Sequence, residues 1–248
     1  MSDISVEARN RLSDGAAQVT TKSDIDPAPA EATAGRLLSD IAYDRILEGL
    51  FDRRLPAGAF VSQNDLVKLL GIPVAPLRDA LRVLEAEGVL KIHPRSGIQF
   101  VKPGLELTRA TYQFRTILER AAVRAYAEAG DEAELDKIAR RHRDLIALIE
   151  ADGLTGEARD EIEELELLLH NSIIAILRNP LIETSYKRMH NYLRLVRLDR
   201  KLTAPLALRS LREHIEIITA CQARDADKAE AALTAHFGEA LRRHMGFF

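Results

Sequence analysis

The chain has 248 residues, 46% hydrophobic and 29% charged, with a net charge of −3, which suits one large or two modest domains with a substantial core. Aromatics make up 5% and Trp is absent, so the core must be Leu, Ile, Val and Ala, a bias toward helix packing over a β-sandwich. The single cysteine, Cys221, excludes an intrachain disulfide, and there is no apolar run of the roughly 18 residues a membrane span needs and no apolar signal segment; a cytoplasmic setting with no membrane partner is expected. Cys221 sits among Ile217, Ile218 and Ala220 and reads as a buried, inert thiol. The charge is uneven: −3 over residues 1–35, +2 over 36–102 and −2 over 103–248. The middle segment alone is positive, a weak pointer to a polyanion.

Residues 1–34 are rich in Ala, Asp, Ser, Thr and Pro and read as a flexible tail. The first strong helical period runs from Leu37 to Leu50. After the turn Leu55-Pro56-Ala57-Gly58, Ser62 can cap a short helix that stops at Gly71. A second helix follows the break at Ile72-Pro73, with Leu77, Leu81 and Leu84 on one face, and stops at Gly88. Two β-prone runs, Val89 to His93 and Ile98 to Val101, flank the tight turn Pro94-Arg95-Ser96-Gly97. This order over residues 35–102 is the plan of a winged helix-turn-helix. Pro103-Gly104 reads as a hinge, and residues 105–248 as an all-α bundle of about six helices, near 105–129, 131–151, 158–177, 180–199, 205–223 and 225–244. The fold class expected is therefore mainly α.

A helix-turn-helix places the N-terminal residues of its second helix against base edges in the major groove. Here that helix opens Val74-Ala75-Pro76-Leu77-Arg78. Arg78 is best placed to reach phosphate or a guanine edge, Arg82 lies one turn on, and Arg95 sits at the wing tip. Ser62, Asn64 and Ala75 complete the candidate DNA-facing set. Taken singly, each arginine could equally be a solvated surface charge. The pattern as a whole resembles the GntR family of bacterial regulators: Leu55-Pro56-Ala57-Gly58, Asp65-Leu66, Pro76-Leu77-Arg78-Asp79-Ala80-Leu81, Leu84-Glu85-Ala86-Glu87-Gly88-Val89-Leu90 and Arg95-Ser96-Gly97 all fall at the family's spacing. The resemblance implies binding to double-stranded operator DNA. The chain departs from it at Pro73-Val74, where members carry Ser-Arg, and at Asn64, where many carry a basic residue. Each lost bidentate base contact removes about 1–3 kcal/mol of discrimination.

Glu166 and His170 are four residues apart, about 40° on one helical face, which also carries Ile173 and Leu177. His214 shares a face with Ile217, Ile218 and Cys221, and His236 with Ala232, Leu233 and Ala240. Three helices thus each turn a histidine inward. One carboxylate and three imidazoles could form a divalent metal site; they could equally be unrelated core histidines, each bonded to a carbonyl or carboxylate. Residues 105–248 are similar to the FCD-type C-terminal domain of the FadR subfamily, through Glu166…His170, Asn179-Pro180, Glu213-His214-Ile215, Arg224-Asp225 and His236. That resemblance implies a divalent ion on Glu166, His170, His214 and His236, zinc first, with nickel or manganese as alternatives. Glu166 replaces the commoner Asp. It also matches Arg115 to an effector-pocket arginine that grips a small organic acid by its carboxylate, with Tyr112, Asn191 and Tyr192 as further pocket candidates. A salt bridge from Arg115 to Glu119 competes with that role, and the basic stretch Arg188 to Arg200 could be solvated surface.

The expected function is a ligand-responsive, homodimeric DNA-binding repressor with a metal and acid effector in its C-terminal domain, and not an enzyme. Effector binding would alter the two DNA heads through Pro103-Gly104, by its differential affinity for two arrangements. The alternatives are a pure metal sensor, a helical metalloenzyme, and an interaction module whose DNA contacts have decayed.

Overall fold

The computed structural model describes residues 36–198 and 202–245. The expected tail over 1–34 lies outside them, as does the end of the basic stretch at Arg200. The chain forms two compact units that join between Pro103 and Gly104.

The first unit holds α1 (Leu38–Phe51), β1 (Phe60–Val61), α2 (Gln63–Leu70), α3 (Val74–Ala86), β2 (Leu90–His93) and β3 (Gly97–Phe100). The strands form an antiparallel sheet in the order β1-β3-β2, with Val61 opposite Ile98 and Lys91 opposite Gln99. Ile46, Leu50, Leu66, Leu77, Leu81, Leu84, Ile98 and Phe100 are buried and make its core. α2 starts where Ser62 accepts a hydrogen bond from Asp65 N at 3.1 Å and ends at Gly71 in the left-handed region, a capped eight-residue helix. The wing turns through Arg95 (φ 68°) into Gly97 (φ 110°). A Cβ on Gly97 would stand 2.8 Å from Val61 O, so the approach of β1 to β3 requires glycine there. The pairing of β1 was not expected from sequence, because two residues are too few to carry an alternating pattern.

The second unit holds α4 (Leu105–Ala129), α5 (Glu132–Asp152), α6 (Gly156–Ala175), α7 (Pro180–Leu198), α8 (Ala204–Gln222) and α9 (Ala226–His244). Every element described from Gly104 onward is helical. α6 begins two residues before the expected 158, because Thr155 caps it by accepting from Ala158 N, and Arg178 (φ 47°) turns the chain after its end. Asn179 Oδ1 accepts from Leu181 N at the start of α7, and Asp225 Oδ1 from Lys228 N at the start of α9. The main core gathers Tyr112, Val123, Tyr126, Ile138, Leu169, Ile173, Met189, Ile217, Cys221, Leu233 and Phe237. A smaller cluster packs Leu145, Ile149, Leu165 and Leu211. α4 and α8 each pack against both α6 and α9, so inward side chains from all four meet. No helix among the described residues is long and apolar enough to cross a membrane.

Candidate metal centre and DNA-facing helix

Inside the bundle, α6 supplies Glu166 and His170, α8 His214 and α9 His236. All four are buried, and one ligand atom from each lies within 4.8 Å of the others. Bonds of about 2 Å to a common ion place tetrahedral ligand atoms about 3.3 Å apart, so the set would draw together on binding one.

The hydrogen bonds fix which nitrogen of each ring faces the centre. His170 Nδ1 is 2.5 Å from Glu119 Oε2, and His236 Nδ1 is 2.8 Å from Glu213 Oε2; carboxylates only accept, so both Nδ1 atoms carry the proton. His142 Nδ1 lies 2.8 Å from the Ile138 carbonyl and must donate to it. In the neutral ring its Nε2 is then an acceptor, and it accepts a hydrogen bond from His214 Nδ1–H at 3.2 Å. All three cluster rings thereby turn a bare Nε2 lone pair inward, and each of these Nε2 atoms is buried with no hydrogen-bond partner. Glu166 adds oxygens at 3.4 Å from His214 Nε2 and 3.6 Å from His170 Nε2. Lone pairs facing a carboxylate without a donor form an unsatisfied arrangement that a cation would satisfy.

Charge around the cluster is balanced. Arg115, fully buried, donates from Nε to Glu119 at 2.8 Å and from Nη1 to Glu166 at 3.0 Å, and lies 4.5 Å over the Phe237 ring. Arg197 from α7 donates to the same Glu166 oxygen at 2.7 Å. Tyr186 donates to Glu119 at 2.5 Å. Arg243 grips Glu213 with two bonds, at 2.6 and 2.8 Å. Burial would raise the Glu119 carboxyl, but Arg115, His170 and the Tyr186 hydroxyl hold it down at about 2. Glu166 is likewise well below the ordinary carboxylate range, against its burial, through Arg197, His170 and Arg115. Burial lowers His170, His214 and His236, keeping the rings neutral and able to ligate. Burial and the facing His214 bring His142 down to about 3. Cys221 is buried and its thiol is pushed up to about 12 by burial, an inert group.

Of the pocket candidates, Arg115 sits at the cluster. Its bond to Glu119 is present as well, so that bond and a place at the site coexist. Tyr112 is buried edge-on to Phe237, with its hydroxyl 3.2 Å from His244 Nδ1. Asn191 and Tyr192 are half-buried on α7. Sequence reasoning missed His142, Arg197, Tyr186 and the roles of Glu119 and Glu213. His142 had a signal in its spacing from Ile138, Leu145 and Ile149, all buried on one face of α5. Glu213 stood beside His214, and Glu119 one turn from Arg115.

In the first unit Arg78, Arg82 and Ala75 are exposed on α3, Arg95 is exposed at the wing tip, and Asn64 is exposed on α2. The Ser62 hydroxyl is engaged in capping and donates to Asp65 Oδ2 at 2.6 Å.

A winged helix-turn-helix and a helical bundle enclosing a histidine–carboxylate cluster define a DNA-binding regulator with a sensory lobe. Comparison with known proteins agrees. The FCD domain family matches residues 110–239, and the family of bacterial regulatory proteins of the gntR type matches residues 38–100. The chain belongs to the GntR family of transcription regulators, with an FCD effector-binding domain, and is not an enzyme. It is 23% identical over 195 residues to the HTH-type transcriptional regulator YdhC of Bacillus subtilis (strain 168), covering 79% of this chain and 85% of that one. Its fold is that of a GntR transcriptional regulator from Rhodococcus sp. RHA1 (TM-score 0.69, 18% identity, 85% of this chain and 98% of that one) and of E. coli McbR/YncC (TM-score 0.67, 17% identity, 85% and 98%).

Proposed function

We propose that the C-terminal domain binds a divalent metal, zinc first, through Glu166, His170, His214 and His236, and beside it a small organic acid. In this reading the protein is a homodimeric repressor released from operator DNA by that acid. The observation that carries the metal reading is the convergence of three partnerless Nε2 lone pairs on a buried carboxylate. The ion would supply the positive charge that those acceptors lack.

Charge favours an acid as the second ligand. Arg115 and Arg197 are already matched by Glu119 and Glu166, so a divalent ion leaves the pocket cationic and receptive to an anion. Two buried guanidinium nitrogens, Arg115 Nη2 and Arg197 Nε, have no acceptor. A carboxylate is the planar acceptor a guanidinium fits. A pure metal sensor is the second reading, favoured by the saturation of Arg115 Nε and Nη1 within the protein.

Chelator-stripped protein titrated with zinc, nickel and manganese in a calorimeter tests the metal. Thermal shift against a panel of small mono- and dicarboxylic acids, with and without the ion, tests the effector. Hits are then titrated in band shifts on a DNA sequence selected by the protein. The reading expects acids that raise Tm only in the metal-loaded protein and that weaken DNA binding. DNA affinity that tracks the ion and ignores every acid establishes the sensor. Unchanged ion affinity in the His214→Ala/His236→Ala protein removes the metal site.

A further inference from the structure

α3, the second helix of the helix-turn-helix, has a sharply divided surface. At 100° per residue, Leu77, Ala80, Leu81 and Leu84 occupy the buried side. The opposite side is centred on Ala75 and Arg82, with Arg78 and Asp79 to either flank, all exposed. Val74 lies beside Arg78 at the start of the helix and is 39% exposed. The residue before it, Pro73, makes no side-chain capping bond and offers no side-chain donor or acceptor. The outward groups of the first turn are therefore an isopropyl and a methyl, with the first polar head one turn later at Arg78.

That turn is the part of such a helix that meets base edges. In the major groove guanine shows two acceptors, cytosine a donor and adenine one of each, while thymine shows an acceptor and a C5-methyl group. An alkyl group set against the polar edge of guanine, cytosine or adenine strips water without returning a hydrogen bond. Set against the thymine methyl it buries apolar surface on both sides. Val74 and Ala75 also lack reach, so they let the helix end approach the floor of the groove closely. We infer that Val74 and Ala75 are specificity-determining residues that read thymine C5-methyl groups, with Arg78 reading a guanine beside them. Each operator half-site then carries thymine at the positions facing the first turn of α3. Recognition there is by shape and methyl burial, without hydrogen bonds.

The test starts from a pool of randomised duplex DNA, from which the full-length protein selects its preferred sequence. The selected duplex is resynthesised with deoxyuridine in place of each thymine in turn, which removes only the methyl. One or two positions per half-site should lose about fourfold in affinity per methyl, with no effect elsewhere. The Val74→Ser and Ala75→Ser proteins, altered only at exposed positions, should each level the thymine–deoxyuridine difference at one position while retaining the Arg78-dependent guanine preference. Circular dichroism and the melting curve confirm that both variants are folded. Three results overturn the inference: selection without a consensus, deoxyuridine duplexes that bind as well as thymine at every position, or a methyl effect that survives both variants unchanged.

Discussion

Each cluster histidine presents a bare Nε2 because its other nitrogen is committed: His170 to Glu119, His236 to Glu213, His214 to His142. These partners fix tautomer and ring angle together, and loss of such a partner weakens metal binding by about 10–100-fold. Glu119→Gln and Glu213→Gln should therefore each lower zinc affinity by about that factor, read by competition with a chromophoric chelator. Zinc affinity unchanged from the parent protein in both variants would falsify the orienting role of these two carboxylates. The inward histidines were legible from their apolar helix faces, since Ile217, Ile218 and Leu233 mark the buried side of their helices. Their convergence was not, because the sequence of one helix contains nothing about the register of the next. Arg197 was hidden for a different reason: it lies in a basic stretch whose pattern matches solvated surface, and only packing of α7 against α6 brings it to Glu166.

The wing depends on a single backbone position. Gly97 combines φ 110° with an approach that puts a would-be Cβ 2.8 Å from Val61 O. Gly97→Ala must strain the turn or separate β1 from β3, at a cost of about 1–3 kcal/mol. The expected readout is a lower melting temperature together with weaker binding to selected DNA; a variant that melts and binds as the parent does would place the strain elsewhere. The hairpin itself was plain in the sequence, since Pro94-Arg95-Ser96-Gly97 separates two apolar runs. Helix ends were less so. Thr155 moved the start of α6 because a capping hydroxyl outranks the first apolar residue as a start signal.

On the scale of the whole chain, the buried rings make stability depend on acid. A histidine whose folded pKa lies below its unfolded value gives stability that is complete above the unfolded value and is lost as pH falls. For His142 that window runs from about 6.5 down to about 3, and burial brings His190 down to about 4. His170, His214 and His236 shift in the same direction. Stability of the chelated protein should fall by about 1.4 kcal/mol per pH unit for each ring that charges on unfolding, beginning near pH 6.5. Glu119 and Glu213, at about 2, stay ionised through that range and add their loss only below the ordinary carboxylate values. A melting temperature constant between pH 7 and pH 5 would contradict this assignment. The committed Nδ1 protons carry one more consequence. Rings already held in their binding orientation leave an arriving cation almost no apolar surface to newly cover, so its uptake should proceed with a heat-capacity change near zero. Calorimetry at several temperatures would register a nearly flat enthalpy.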